Sequence, residues 1–249
     1  MMLIIGLFTL CTSMENVNAQ NANFKTGDEL YVYAYNGLNL RAEPSTSSPV
    51  VKKLDHSDEV KVLQVLPERK EIDFRQSSWI EVDAYGKKGY LFGGYLTAVE
   101  PMYLDAESFD CDAELYYMDW VLDILGDAAP VVQNEEMPVG NAWSTKKGET
   151  TTYTSYASGD MLYYKTGPDT DSYYFESMQL NYNDVLNFME YLVACQNRFC
   201  PIDSEEGKSI FKPIKNIYGE LVRVDCTAPL AISAQQKGAR MIVKMETCL

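Results

Sequence analysis

The 249-residue chain contains a single histidine, His56, and that scarcity excludes more chemistry than any motif present includes. Thiolate catalysis needs a base beside the sulfur, and Cys226, in "VDCTA", has no histidine in its half of the chain. Cys226 also closes a strand-like run where such a nucleophile would open a helix, so a papain-like endopeptidase is rejected. HExxH, a glycine-rich phosphate loop and a GxSxG elbow are all missing, and "GPDTDS" falls short of a calcium loop. Cys195 and Cys200 lack both a histidine neighbour and a second cysteine pair, so no metal and no cofactor is expected. Positive charge is scarce too: 21 Lys and Arg stand against 36 Asp and Glu, for a net charge of −15. A chain this acidic is repelled by phosphate backbones and anionic lipid surfaces, which excludes nucleic acid as a partner.

Long hydrophobic runs are lacking as well. "MLIIGLFTLC" at the N-terminus is too short to span a bilayer, and it precedes polar residues and a small-residue site at Val17-Asn18-Ala19. Residues 1–19 are therefore expected to be a secretory signal and 20–26 a linker, with no membrane span in the mature chain. Leu10 stands before Cys11 where a lipoprotein signal needs a small residue. Export to the periplasm or cell surface is expected, rather than lipid anchoring at Cys11. Loss of Cys11 leaves Cys111, Cys195, Cys200, Cys226 and Cys248, an odd set that allows at most two internal disulfides of open pairing.

The remainder has two textures. Residues 27–98 carry short runs rich in β-branched and aromatic residues, "ELYVYA", "EVKVLQVL", "WIEVDA" and "KGYLFG", separated by turn formers about every ten residues. A small β-barrel is expected. In "LNLRAEPSTSSPVVKKL", Leu38 and Leu40 should point inward, with Arg41 clamping carbonyls or Glu43 across a turn that Pro44 stiffens and the serine hydroxyls complete. That stretch is read as rounding a corner, with any binding surface beside it. "PERKEIDFRQSS" is longer than a tight hairpin needs; with Arg69, Lys70 and Arg75 it reads as a basic solvated loop, or as a contact to an acidic partner or to the chain's own second half.

From residue 105 to 249 an α+β domain is expected, an antiparallel sheet with two helices on one face. The first helix ends at Gly126, with Leu115, Met118, Val121, Leu122 and Leu125 at helical spacing. The second is capped by Asn181 or Asn183 and buries Val185, Leu186, Met189, Leu192 and Val193. "AAPVVQNEEMPVGNAWSTKKGE" reads as loop, "TTTYTSYA", "DMLYYKT" and "SYYFESMQL" as three antiparallel strands, and "IYGELVRVDC" and "ARMIVKMETC" as two more. Helix followed by strands occurs twice, without convincing repetition of residues. The tyrosines from Tyr153 to Tyr182 are read as the sheet face under the helices, in preference to an exposed aromatic platform for sugar or protein.

"LNLRAEPSTSSPVVKKL", "DEVKVL" and "WIEVDAYGKKGYLFGGYL", in that order, closely resemble the bacterial SH3 (SH3b) domain family over residues 27–98. The resemblance implies an SH3-like barrel and a binder of cell-wall peptide or of an envelope protein. It puts the ligand-binding residues among Tyr33, Tyr35, Trp79, Tyr90, Phe92 and Tyr95, where rings offer contact area at low entropic cost. Trp79 and Phe92 are also natural core residues in so small a barrel, and Tyr35 and Tyr95 are the pair expected to be exposed. The function expected is a non-catalytic binding or adaptor protein of the cell envelope. The alternative is a cell-wall or glycan hydrolase with carboxylates placed in the second domain.

Overall fold

The computed structural model describes residues 24–103, 113–136, 150–166, 170–199, 213–215, 221–224, 230–237 and 240–248. The signal expected over residues 1–19 and its linker up to residue 23 lie outside them, as do Cys111, Cys200 and Cys226.

Alternation of apolar and polar residues builds the first layer. Strands β1 (Glu29–Val32), β2 (Leu38–Arg41), β3 (Val50–Leu54), β4 (Glu59–Ile72), β5 (Arg75–Ala84), β6 (Lys87–Phe92) and β7 (Leu96–Thr97) form one antiparallel sheet, ordered β3-β2-β6-β5-β4-β1-β7. A 3-10 turn, Gly93–Tyr95, joins β6 to β7. The sheet curls around Leu30, Val32, Leu40, Leu54, Val60, Val62, Ile80, Val82, Leu91 and Leu96, all buried. The corner after β2 is clamped as its residues suggest: Arg41 Nη1 donates to Ser48 O at 2.7 Å and Glu43 N to Ser48 Oγ at 2.9 Å.

The basic "PERKEIDFRQSS" segment is not a loop. It is the outer half of a long β4–β5 hairpin closed by Asp73 and Phe74, with φ of 49° and 66°. Two central residues at positive φ make the primed turn whose twist matches the strands. The familiar Asn-Gly signal is absent here, which hides the hairpin from the sequence.

The second layer comprises α1 (Ala113–Leu125), β8 (Pro130–Glu136), β9 (Thr150–Tyr156), β10 (Met161–Thr166), β11 (Thr170–Ser177), α2 (Tyr182–Phe199), β12 (Pro213–Lys215), β13 (Leu221–Val224), β14 (Leu230–Lys237) and β15 (Arg240–Cys248). Its sheet runs β12-β13-β14-β15-β11-β10-β9-β8 among the described residues. A helix followed by a four-stranded meander therefore occurs twice, and the two meanders meet antiparallel at β11 and β15. The architecture repeats even though the residues do not.

Three expectations need correction. The "AAPVVQNEE" stretch is strand β8 rather than loop. Proline is tolerated because Pro130 opens an edge strand, where no ladder partner needs its missing N–H. Strands β12 and β14 were not anticipated, one being short and the other ending in the polar "AQQK". On α1, Leu122 is 54% exposed, and among the residues whose side chains are described the buried face holds Tyr116, Tyr117, Trp120, Val121, Ile124 and Leu125; Leu115 lies outside them. Aromatic packing rotates that face: Trp120 stacks on Phe188 of α2 at 4.3 Å, and Tyr117 Oη donates to Val243 O at 3.1 Å.

Both helices cover one sheet face, burying Phe175, Met241, Val243 and Met245 together with Val185, Leu186, Met189 and Leu192 of the expected α2 set; Val193 is buried as well. Each adjacent tyrosine pair splits across the sheet. Tyr164 and Tyr173, stacked at 4.7 Å, share the register parity of Phe175 on the helix side; Tyr163 and Tyr174 lie on the other side. There Tyr163 Oη donates to Glu176, and Lys244 lies 5.3 Å from the Tyr174 ring.

The start of α2 is a buried capping box. Asn181 Oδ1 accepts from Asn183 N at 2.8 Å, and Asp184 accepts in return from Asn181 N at 2.9 Å. Burial pushes the Asp184 carboxyl up to about 7, against the backbone N–H of Asn181 and the Thr97 hydroxyl, which pull it down. The folded state thus holds a proton that the unfolded chain releases near pH 4, and this stabilisation is lost as pH rises through about 7. Replacing Asp184 by Asn should remove that loss. In urea titrations the variant should gain stability relative to wild type between pH 4 and 8, by up to about 4 kcal/mol; a pH-independent difference would contradict the shift.

Candidate functional site: a cleft shared by the barrel and a helix

Helix α2 has two working faces. Val185, Leu186, Met189 and Leu192 pack in the core over the sheet and Val193 is buried, whereas Asn183, Asn187, Glu190, Tyr191, Ala194 and Arg198 lie along the side that meets the barrel. Asn183 Nδ2 donates to Gln76 O at 3.1 Å, Asn187 Nδ2 to Gly94 O at 3.0 Å, and Arg198 Nη1 to Tyr35 Oη at 3.2 Å. On sequence alone Asn187 and Glu190 look like part of a solvated face.

Arg75 enters the middle of that stripe from the base of the β4–β5 hairpin. It is 0% exposed. Its Nε donates to Asn187 Oδ1 at 2.7 Å, Nη1 to Asp73 O at 3.0 Å and Nη2 to Glu190 Oε2, while its guanidinium carbon lies 4.2 Å from the Tyr95 ring centroid. The 3-10 turn must lie close for this to happen. A Cβ on Gly94 would come within 2.8 Å of Arg75 Cβ and of the Phe92 ring, so only glycine fits. Of the alternatives open for the basic segment, the structure shows contact with the chain's own second half.

Beside Arg75, an aromatic cluster completes the junction. His56 stacks flat on Tyr191, centroids 4.0 Å apart at 9°, and Tyr33 and Tyr35 each meet Tyr191 edge-on at 5.9 Å. His56 Nε2 lies 2.9 Å from Met102 O, which only accepts, so Nε2 carries the proton. Burial lowers the His56 pKa, keeping the ring neutral against Tyr191. Tyr33 is 3% exposed and belongs to the core of the second layer; burial drives its hydroxyl well above the ordinary tyrosine value.

A cavity of about 330 Å³ lies next to this junction. Its walls come from the β1–β2 loop and β2 (Tyr35, Asn36, Asn39, Arg41), the hairpin tip (Ile72, Asp73), β5 and β6 (Trp79, Phe92), the 3-10 turn (Tyr95) and α2 (Glu190, Ala194). The stretch read as only rounding a corner therefore also supplies one wall. Trp79 and Phe92, 4% and 3% exposed, meet edge-on at 5.9 Å, and Trp79 Nε1 has no hydrogen-bond partner among the described residues. Burial raises the Tyr95 hydroxyl, which donates to Asp73 Oδ2 at 2.8 Å.

The sequence candidates thus divide. Tyr35, Trp79, Phe92 and Tyr95 converge on the cavity, with Tyr35 and Tyr95 half-buried rather than exposed. Tyr33 is sealed in the junction, because it packs under Tyr191, and Tyr90 lies on β6 opposite Arg41 without lining the cavity. Asp73, Glu190 and Ala194 were missed. Glu190 and Ala194 lie on the side of α2 that becomes legible only once a second partner for that helix is known, and Asp73 lies in a hairpin turn that carries no familiar signal.

Residues 36–97 match the family model of the bacterial SH3 domain. No family model matches the remainder, and no curated protein matches the chain. The match spans β2 to β7, so the bacterial SH3 domain provides every wall of the cavity except Ala34, Tyr35, Glu190 and Ala194. It points in general to cell-wall binding. No described helix is long and apolar enough to cross a membrane, and no described group of three or more His, Cys, Asp or Glu can hold a metal ion.

The junction depends on Arg75. Arg75→Met keeps the aliphatic bulk but leaves Asn187 Oδ1 and Glu190 without their donor, which should cost about 2–4 kcal/mol. By calorimetry the barrel and the α+β layer should then melt as two transitions; an unchanged single transition would contradict the assigned role.

Proposed function

We propose that the protein is an exported, non-catalytic binding or adaptor protein of the cell envelope, whose bacterial SH3 domain takes a short wall peptide in the cleft closed by α2. The observation that carries this reading is the convergence of Tyr35, Trp79, Phe92 and Tyr95, together with anchored polar groups, on one concave site of about 330 Å³. Small-ligand clefts span about 300–1,000 Å³ and combine apolar rings with a few fixed polar atoms. Charged flanks on an aromatic floor suit an extended peptide better than a bare sugar chain.

Among the described residues the one carboxyl raised to about 7, Asp184, caps a helix outside the cleft lining and is held by Asn181 and Thr97, which favours a structural role over general acid catalysis. Export to the envelope rests on the N-terminal segment and on the usual habitat of bacterial SH3 domains.

Purified sacculi should pellet the wild-type protein. The double variant Tyr35→Ala, Asn39→Ala, which removes cleft wall without touching Arg75, should lose at least about fivefold in bound fraction. Equal sedimentation of both proteins would refute the cleft as the wall site.

A further inference from the structure

The charged groups of the cleft share a pattern: each is tethered through one atom and leaves another free. Asp73 accepts from Tyr95 through Oδ2, Glu190 accepts from Arg75 through Oε2, and Arg41 donates to Ser48 O through Nη1. Asp73 Oδ1, Glu190 Oε1 and the second terminal nitrogen of Arg41 have no hydrogen-bond partner among the described residues. Tethering through one atom fixes each side chain at little further entropic cost on binding.

The two carboxylates meet around Tyr95: Asp73 Oδ2 accepts from its hydroxyl, and Glu190 Oε2 accepts from Arg75, whose guanidinium carbon lies 4.2 Å from the same ring. Arg75 is itself buried, with its nitrogens committed to Asn187, Asp73 and Glu190, so it offers a ligand nothing. Arg41 lies on β2, in a different wall. The cleft is consequently polarised, with acceptor oxygens at the α2 end, a guanidinium on the β2 wall and aromatic rings as the remaining surface. A ligand complementary to it carries a free ammonium and, further along, a carboxylate or carbonyl.

We propose that the cleft selects a peptide bearing a free ammonium group, and that Glu190, supplied by the second domain, reads that group together with Asp73. This rests on the wall-peptide reading above. Specificity then belongs to the two-domain unit, since the barrel on its own carries Asp73 and Arg41 but not Glu190. The ammonium has two possible sources, a diamino-acid side chain or an amino terminus, and acetylation separates them.

The test is calorimetric titration of the full chain with the tripeptide Ala-Glu-Lys, its Nε-acetylated form and its Nα-acetylated form. One acetylation should weaken binding about five- to tenfold, as expected for one partly exposed ion pair, and thereby identify the source. In Glu190→Gln that acetylation should no longer matter, with the acetylated peptide bound as by wild type. Asp73→Asn, which keeps an acceptor for Tyr95 and leaves Arg75 its backbone carbonyl, should reduce the discrimination in the same direction and guards against loss of folding in the first variant. If wild type binds all three peptides equally, or both variants keep its discrimination, the ammonium reading is overturned while the wall-peptide reading stands. Failure of all three peptides to bind overturns both.

Discussion

The guanidinium of Arg75 leaves one sheet and is satisfied by the helix covering the other, and most of the remaining architecture can be understood as making that possible. An unpaired buried cation costs several kcal/mol, so an arginine with no solvent exposure must find an acceptor for each of its nitrogens. The long hairpin carries it outward, the primed turn at Asp73–Phe74 returns a carbonyl to it, and Gly94 of the 3-10 turn clears its path. Asn187 and Glu190 complete the set from α2. Because those acceptors sit on a helix whose opposite face is fixed in an apolar core, the arginine joins two folding units through a directional contact.

The cleft follows from that joint. Its floor belongs to the bacterial SH3 domain, but the barrel alone leaves it open on one side. Docking α2 adds Glu190 and Ala194 as the missing wall and aligns the stacked His56–Tyr191 pair beside it. Such a site occurs at the boundary of two units, where concavity arises without hollowing out either core.

The barrel was legible because its signals are local: alternation in "WIEVDA", a proline-stiffened corner before Val50, and leucines on one face of β2. Helix α2 was legible for the same reason, its apolar stripe and its asparagine cap lying within a single element. What stayed hidden depends on partners distant in sequence. Asn187 and Glu190 look like solvent-facing residues until the barrel is placed against them, and Arg75 looks like part of a basic loop because Asp73–Phe74 is an uncommon pair for a tight turn. Leu122 misled for the related reason that aliphatic spacing was weighed above Tyr117 and Trp120, whose rings reach further. Tyr33 resembled a ligand-binding ring on its strand pattern, yet the second core claims it. The repeated helix-and-meander plan left a trace in element order alone, because sheet pairing constrains alternation far more than residue identity.

A buried Arg75 joining the two units requires the barrel and the α+β layer to move as one rigid body. Residual dipolar couplings from backbone amides of residues 27–98 and of α2 with β9–β11 measure this directly in solution. A single alignment tensor fitting both sets, with Arg75→Met requiring two, is the predicted result. Two independent tensors for the wild-type protein would contradict it.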